Sequence, residues 1–256
     1  MIKINILGSG YMGKQIASLF TLIGFEVFIW YNRKETNLAD NLDYEVKKLE
    51  KVLKLKNTGK INIIDQINEL EENLTIETVK EDIDIKKNVI NNLKYKKNIF
   101  SNTSSLRLSD IGQNINGFHF MNPISMKYIE ICEKNNYSKE DLEIVIEKLK
   151  KISYQVINVQ DTPGFLINKI IFKDISYFFY LIEKDNFNKQ NILDIYKNKL
   201  NRNDPIRLIN IIGVDTSLAI LKNLNNYDKS FYVPETLQQA VSKNILGFKN
   251  KKLFKL

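Results

Sequence analysis

The sequence predicts an α/β fold followed by an all-helical segment, and three observations carry that expectation. The chain opens as strand, glycine turn, helix, strand, the order that builds a parallel sheet through right-handed crossovers. Strand and helix patterns keep alternating to about Asp161. Beyond Pro163 the apolar period is helical and no strong strand pattern remains.

Taken in order, Ile2 to Leu7 is an apolar run of strand length, and Gly8 to Gly13 is a glycine-rich turn. From Lys14 to Ile23, residues Ile16, Ala17, Phe20 and Ile23 share one helical face, and Gly24 ends the helix. Glu26 to Tyr31 is a second strand. The charged stretch from Ala39 to Glu72, broken near Thr58-Gly59, reads as an inserted helical hairpin. Thr75 to Val79 and Asn98 to Ser101 read as strands around a helix over Ile85 to Leu93. Gly117 to Phe120, Tyr128 to Ile131 and Tyr154 to Val159 complete the strands. Helices are expected over Gly164 to Lys184, Gln190 to Lys199, Pro205 to Leu224 and Glu235 to Asn244. All four prolines fall at element edges, where a missing N–H costs nothing. Two domains follow: residues 1–161, α/β with the hairpin inserted, and residues 162–256, helical.

Composition narrows the classes. The chain has 256 residues, 43% of them hydrophobic, enough for a real core. No stretch approaches the ~20 apolar residues that span a bilayer, and the N-terminus lacks the pattern of a signal peptide. One cysteine, Cys132, excludes an internal disulfide and suits a reducing, cytoplasmic setting; its alternating apolar neighbours mark it as a core residue. The net charge is +8. A polyanionic small molecule and a nucleic acid both fit such a charge. The lysines are interspersed with acids except in the tail from Lys243 to Leu256, so nucleic acid is not expected. Neither is a metal centre.

The run Gly8-Ser9-Gly10-Tyr11-Met12-Gly13 is a G-x-G-x-x-G that follows a strand and opens a helix, the context that gives the motif meaning. Gly8 permits the tight turn, Gly10 lets backbone approach a pyrophosphate, and Gly13 lets the helix pack close to the sheet. The helix N-terminus then faces the phosphates. This is a Rossmann-type dinucleotide site. An NAD site usually carries an acid at the end of the second strand. Here that position is Tyr31, followed by Asn32 and Arg33. Arginine pairs phosphate bidentately, so NADP is favoured over NAD, with both left open.

The only histidine, His119, lies in Gly117-Phe118-His119-Phe120-Met121-Asn122-Pro123, and Glu130 follows. Imidazole takes and gives a proton near neutral pH without special tuning. With a carboxylate on its other nitrogen it is a general base suited to removing an alcohol proton as hydride departs.

Four motifs in order resemble one family: Gly8 to Gly13, Ser101-Asn102-Thr103-Ser104-Ser105-Leu106, the His119 run through Lys127 and Glu130, and Asp161-Thr162-Pro163-Gly164-Phe165-Leu166-Ile167-Asn168. The chain resembles the 3-hydroxyacyl-CoA dehydrogenases, including the 3-hydroxybutyryl-CoA dehydrogenases, as a divergent member. The resemblance implies that His119 is the catalytic base and Glu130 its acidic partner. It implies that Ser104 and Asn168 bond the substrate oxygen, and that Glu81 and Lys86 lie near the nicotinamide ribose and the coenzyme. It further implies interconversion of 3-hydroxyacyl and 3-oxoacyl thioesters, linked to coenzyme A or a carrier protein, in fatty acid metabolism. The helical domain would then close on substrate and form a homodimer. A hydroxy-acid or sugar-acid dehydrogenase of the same superfamily, and a non-catalytic dinucleotide-binding scaffold, remain as alternatives.

Overall fold

The computed structural model describes residues 2–31, 37–134 and 136–256. Asn32 and Arg33, expected to meet the cofactor, lie outside these. The described chain divides into two compact units, Met1–Thr162 and Pro163–Leu256. Among the described residues no helix is long and apolar enough to cross a membrane.

The first unit is built on one eight-stranded sheet: β1 (Lys3–Leu7), β2 (Glu26–Trp30), β3 (Lys60–Ile64), β4 (Leu74–Glu77), β5 (Ile99–Ser101), β6 (Asn116–Phe120), β7 (Tyr128–Cys132) and β8 (Gln155–Asn158). Its order is β3-β2-β1-β4-β5-β6-β7-β8. All pairs are parallel except β6 with β7. The order reverses direction at β1 and β4, so the crevice beyond their carboxyl ends is the switch point where such sheets take ligands. Central strands are buried on both faces, which is why Ile4, Ile6, Val27, Ile29 and Ile76 form an unbroken apolar layer. Helix α1 (Tyr11–Leu22) follows the glycine turn and buries Ile16, Ala17, Leu19 and Phe20. Phe20 meets Phe25, Phe118 and Phe120 edge-on at 5.6–6.3 Å between centroids, which ties the first crossover to the strand that carries His119.

The inserted helical hairpin is corrected by the structure. Its first arm is helix α2 (Leu38–Leu53), with Leu38, Leu42, Val46, Leu49 and Leu53 on one buried stripe. Its second arm is not a helix: residues beyond Gly59 form strand β3, pairing Ile61 with Val27 and Ile63 with Ile29. A Cβ at Gly59 would stand 2.2 Å from the Phe25 carbonyl oxygen, so glycine there lets the chain re-enter the sheet. Two further helices, α3 (Ile83–Asn91) and α4 (Leu108–Ile111), flank β5 in sequence. The 139–151 stretch, to which the sequence reading assigned no element, is helix α5 (Lys139–Lys151), capped by Ser138 and burying Leu142, Val145 and Leu149.

The second unit contains α6 (Ile167–Glu183), α7 (Lys189–Asn198), α8 (Pro205–Ile212), α9 (Val214–Tyr227) and α10 (Glu235–Ser242). Its core gathers Phe172, Phe178, Phe179, Ile209, Leu221, Leu224 and Leu237. The helix expected over Pro205 to Leu224 is two helices. Gly213 divides them at φ +104°, a conformation that side chains resist. Polar caps fix two of the helix starts: Asn188 accepts from the Gln190 and Asn191 N–H groups, and Asp204 from those of Ile206 and Arg207.

Candidate active site

The glycine turn has the geometry its motif demands. Gly8 sits at φ +111° and donates its N–H to the Trp30 carbonyl at 2.8 Å. A Cβ on Gly13 would stand 1.9 Å from the Gly8 carbonyl oxygen, whereas one on Gly10 would meet nothing within 4 Å. Helix and strand therefore touch at Gly13, and the turn is open at Gly10, the first-turn cap of α1. Thr78 braces the turn from the neighbouring strand, its hydroxyl donating to the carbonyls of Leu7 at 3.0 Å and Gly8 at 3.1 Å. Ser9 and Met12 are half-buried, and Gly10 and Tyr11 are exposed. A glycine cradle with an exposed helix N-terminus at the switch point fits a dinucleotide pyrophosphate. Residues Gly8 to Gly13 would hold it through backbone N–H groups.

His119 and Glu130 are brought together by strand pairing. The reversal between β6 and β7 sets them directly opposite each other in register. The ring Nδ1 lies 2.9 Å from Glu130 Oε2, with His119 4% exposed and Glu130 fully buried. Asn102 steadies the strand by accepting the Phe120 N–H at 2.8 Å. A buried carboxylate against one ring nitrogen fixes the tautomer and orients the ring.

Ser104 lies in the turn after β5, and a single carboxylate organises that turn. Glu81 Oε1 accepts the N–H groups of Ser104 at 2.8 Å and Ser105 at 2.9 Å, together with the Thr103 and Ser105 hydroxyls at 2.7 and 3.0 Å. The Ser104 hydroxyl reaches the same oxygen at 3.3 Å. Burial pushes the Glu81 carboxyl up, but the Lys86 ammonium and these donors outweigh it and hold the group at about 2.

Lys86 is buried. It pairs with Glu77 at 2.9 Å and with Glu81 at 3.3 Å, and Glu77 in turn accepts the Ser101 hydroxyl at 2.6 Å. Burial opposes its charge, yet the two carboxylates raise the ammonium's pKa. The structure thus uses Lys86 and Glu81 to set the Ser104 turn. The family resemblance expects both near the nicotinamide ribose and the coenzyme; in the structure Lys86 bonds Glu77 and the Val79 carbonyl, and Glu81 bonds the turn from Thr103 to Ser105. Glu77 was missed from sequence, although a carboxylate inside the apolar strand Leu74-Thr75-Ile76-Glu77 is itself a signal, since buried charge needs a partner.

Asn168 lies in the first turn of α6 in the second unit and is 6% exposed. Gly164 at φ +76° and buried Phe165 at φ +47° shape the approach to it. Asp161, from the same motif, receives the N–H groups of Leu108 at 2.7 Å and Ser109 at 3.0 Å, and the Lys134 ammonium at 3.0 Å. It is a helix cap for α4. Cys132 is buried in β7, which pushes its thiol up to about 11 and suits a core residue.

A Rossmann sheet with its glycine cradle, and a buried histidine–carboxylate pair on the same sheet, define a nicotinamide-dependent oxidoreductase. Residues 3–162 match the model of the 3-hydroxyacyl-CoA dehydrogenase NAD-binding domain, and the chain belongs to that family. It is 28% identical to a 3-hydroxybutyryl-CoA dehydrogenase of Clostridioides difficile, covering 98% of this chain and 97% of that one. Its fold resembles the crystal structures of FadB2 from M. tuberculosis, with a TM-score of 0.80 at 20% identity over 98% of both chains, and of (S)-3-hydroxybutyryl-CoA dehydrogenase PaaH1 from Ralstonia eutropha, with a TM-score of 0.77 at 22% identity over 99% of both.

Proposed function

We propose that this chain interconverts 3-hydroxyacyl and 3-oxoacyl thioesters, with His119 as the base that removes the hydroxyl proton. The His119–Glu130 pair carries this reading. With Nδ1 committed to Glu130, Nε2 is the atom that exchanges the substrate proton. Glu130 stabilises the imidazolium that results and holds the ring in place. Gly8 to Gly13 would hold the pyrophosphate of a nicotinamide dinucleotide, which would supply the hydride acceptor or donor. Ser104, fixed by Glu81, donates toward the substrate oxygen as charge develops on it. Asn168 takes a second such role on the strength of the family motif. In the reducing direction the imidazolium is the acid.

The acyl group is carried on coenzyme A, the carrier named for the relatives, with a carrier protein as the other thioester that this chemistry accepts. The helical unit serves substrate binding and pairing with a second copy. The test is steady-state reduction of acetoacetyl-CoA, followed by loss of reduced nicotinamide absorbance, for the natural chain and for His119→Gln. A fall in kcat of about 10²–10⁴, with the dissociation constant of the dinucleotide unchanged within twofold, is expected. Turnover that survives the substitution, or that is absent with thioesters but present with free 3-hydroxy acids, overturns the reading.

A further inference from the structure

Resting on the dinucleotide reading above, we propose that Asp65 supplies, from β3, the carboxylate that receives the adenosine ribose hydroxyls, and that it selects NAD(H) over NADP(H). Sheets of this kind usually place that acid at the end of the second strand, where its oxygens bond the ribose 2′-hydroxyl. Tyr31 occupies that position here. The parallel register of β2 with β3 pairs Trp30 with Ile64. The next residues along, Tyr31 and Asp65, therefore emerge side by side just past the carboxyl ends of the two strands. The structure joins them: the Tyr31 hydroxyl donates to Asp65 Oδ1.

Three features make this pair suitable. It lies on the edge that carries the glycine turn, since Leu7 pairs with Trp30 and Gly8 donates to the Trp30 carbonyl at 2.8 Å. Asp65 is then two strand spacings from that turn, about 10 Å, the span of a nucleoside running across the sheet edge from its phosphate. Asp65 is exposed, so a ligand reaches it. A carboxylate offers about four acceptor sites on two oxygens, so one bond from Tyr31 leaves capacity for a vicinal diol. The bond to Asp65, with some burial, raises the Tyr31 phenol, which keeps the hydroxyl a neutral donor that orients the carboxylate. A 2′-phosphate brought to this place would meet a like charge, which disfavours it. This reading opposes the NADP preference drawn from Tyr31-Asn32-Arg33, and it rests on residues that the structure describes.

The test is calorimetric titration of the natural chain, Asp65→Asn and Tyr31→Phe with NADH and with NADPH, reading dissociation constants without any turnover. The natural chain is expected to bind NADH at least about tenfold more tightly, the worth of a hydrogen bond to a charged group. Asp65→Asn is expected to weaken NADH about tenfold while leaving NADPH unchanged or tighter. Tyr31→Phe is expected to move the ratio the same way by a smaller factor, because the carboxylate remains. A natural chain that prefers NADPH, or an Asp65→Asn variant with an unaltered NADH to NADPH ratio, overturns the proposal while the dinucleotide reading stands. A natural chain that binds neither dinucleotide overturns that reading and this proposal together.

Discussion

The two units spend their polar groups differently. Every buried acid, lysine, arginine or histidine among the described residues (Glu77, Lys86, His119 and Glu130) belongs to the first unit. The second buries only neutral polar groups, Asn168, Ser176, Asn210 and Ser217, within a core of phenylalanine and aliphatic side chains. Its charges work at the surface: Glu183 accepts the N–H groups of Glu235 and Thr236 and the Tyr232 hydroxyl, tying the end of α6 to the start of α10. Desolvating a charge is expensive unless a partner offsets it. The first unit keeps four such groups inside, paired as Lys86 with Glu77 and His119 with Glu130, whereas the second keeps none and is organised by packing.

The contrast is broken or sharpened by three measurements. The largest effect is expected from Lys86→Met. It strands Glu77 in the interior and should cost about 3–5 kcal/mol in urea unfolding, with part of the loss recovered in the double variant Glu77→Gln/Lys86→Met. A loss below about 1 kcal/mol would mean that the ion pair is not what holds this corner. Next comes acid sensitivity. The Glu81 carboxyl sits at about 2 when folded, against an ordinary value of 4.5. Its contribution is thus fully present above pH 4.5 and lost as the pH falls toward 2. It amounts to about 3 kcal/mol. The stability gap between the natural chain and Glu81→Gln should therefore narrow steadily across that window, and a gap independent of pH would refute the assignment. The smallest effect is expected in the second unit. The Ser176 hydroxyl accepts the Tyr232 N–H at 2.6 Å, and Ser176→Ala should cost about 1 kcal/mol in thermal unfolding, without changing the dissociation constant of NADH. A tenfold change in that constant would dissolve the division of labour between the units.

Much of this was legible in the sequence because its signals are local. The glycine turn, the strand before it and the helix after it lie within one short stretch, and Gly8 and Gly13 answer constraints the structure displays. His119 and Glu130 stand on two short strands of one hairpin, so their pairing needed no distant information. Residues 60–64 were misread because an edge strand with Lys60 and Asn62 among three isoleucines carries as many polar positions as an amphipathic helix; only the pairing with β2 decides it. Helix α5 went unread although Leu142, Val145, Ile146 and Leu149 recur at helical spacing behind Ser138, so that signal was present. The Glu77–Lys86–Glu81 cluster and the Tyr31–Asp65 contact were not legible as contacts. Each joins side chains from separate elements, and pairings of that kind are set by sheet order, which no single stretch encodes.

The one antiparallel step in the sheet has an evolutionary corollary. Because side chains alternate faces along a strand, deleting Phe118, the residue of β6 just ahead of His119, would turn the imidazole to the opposite side and separate it from its acid. The connection from Met121 to Lys127 lies between the two strands, so a change in its length leaves the parity of either strand untouched. Lineages of this fold should therefore differ in how far apart the two residues stand in the chain, while keeping the parity of each strand unchanged.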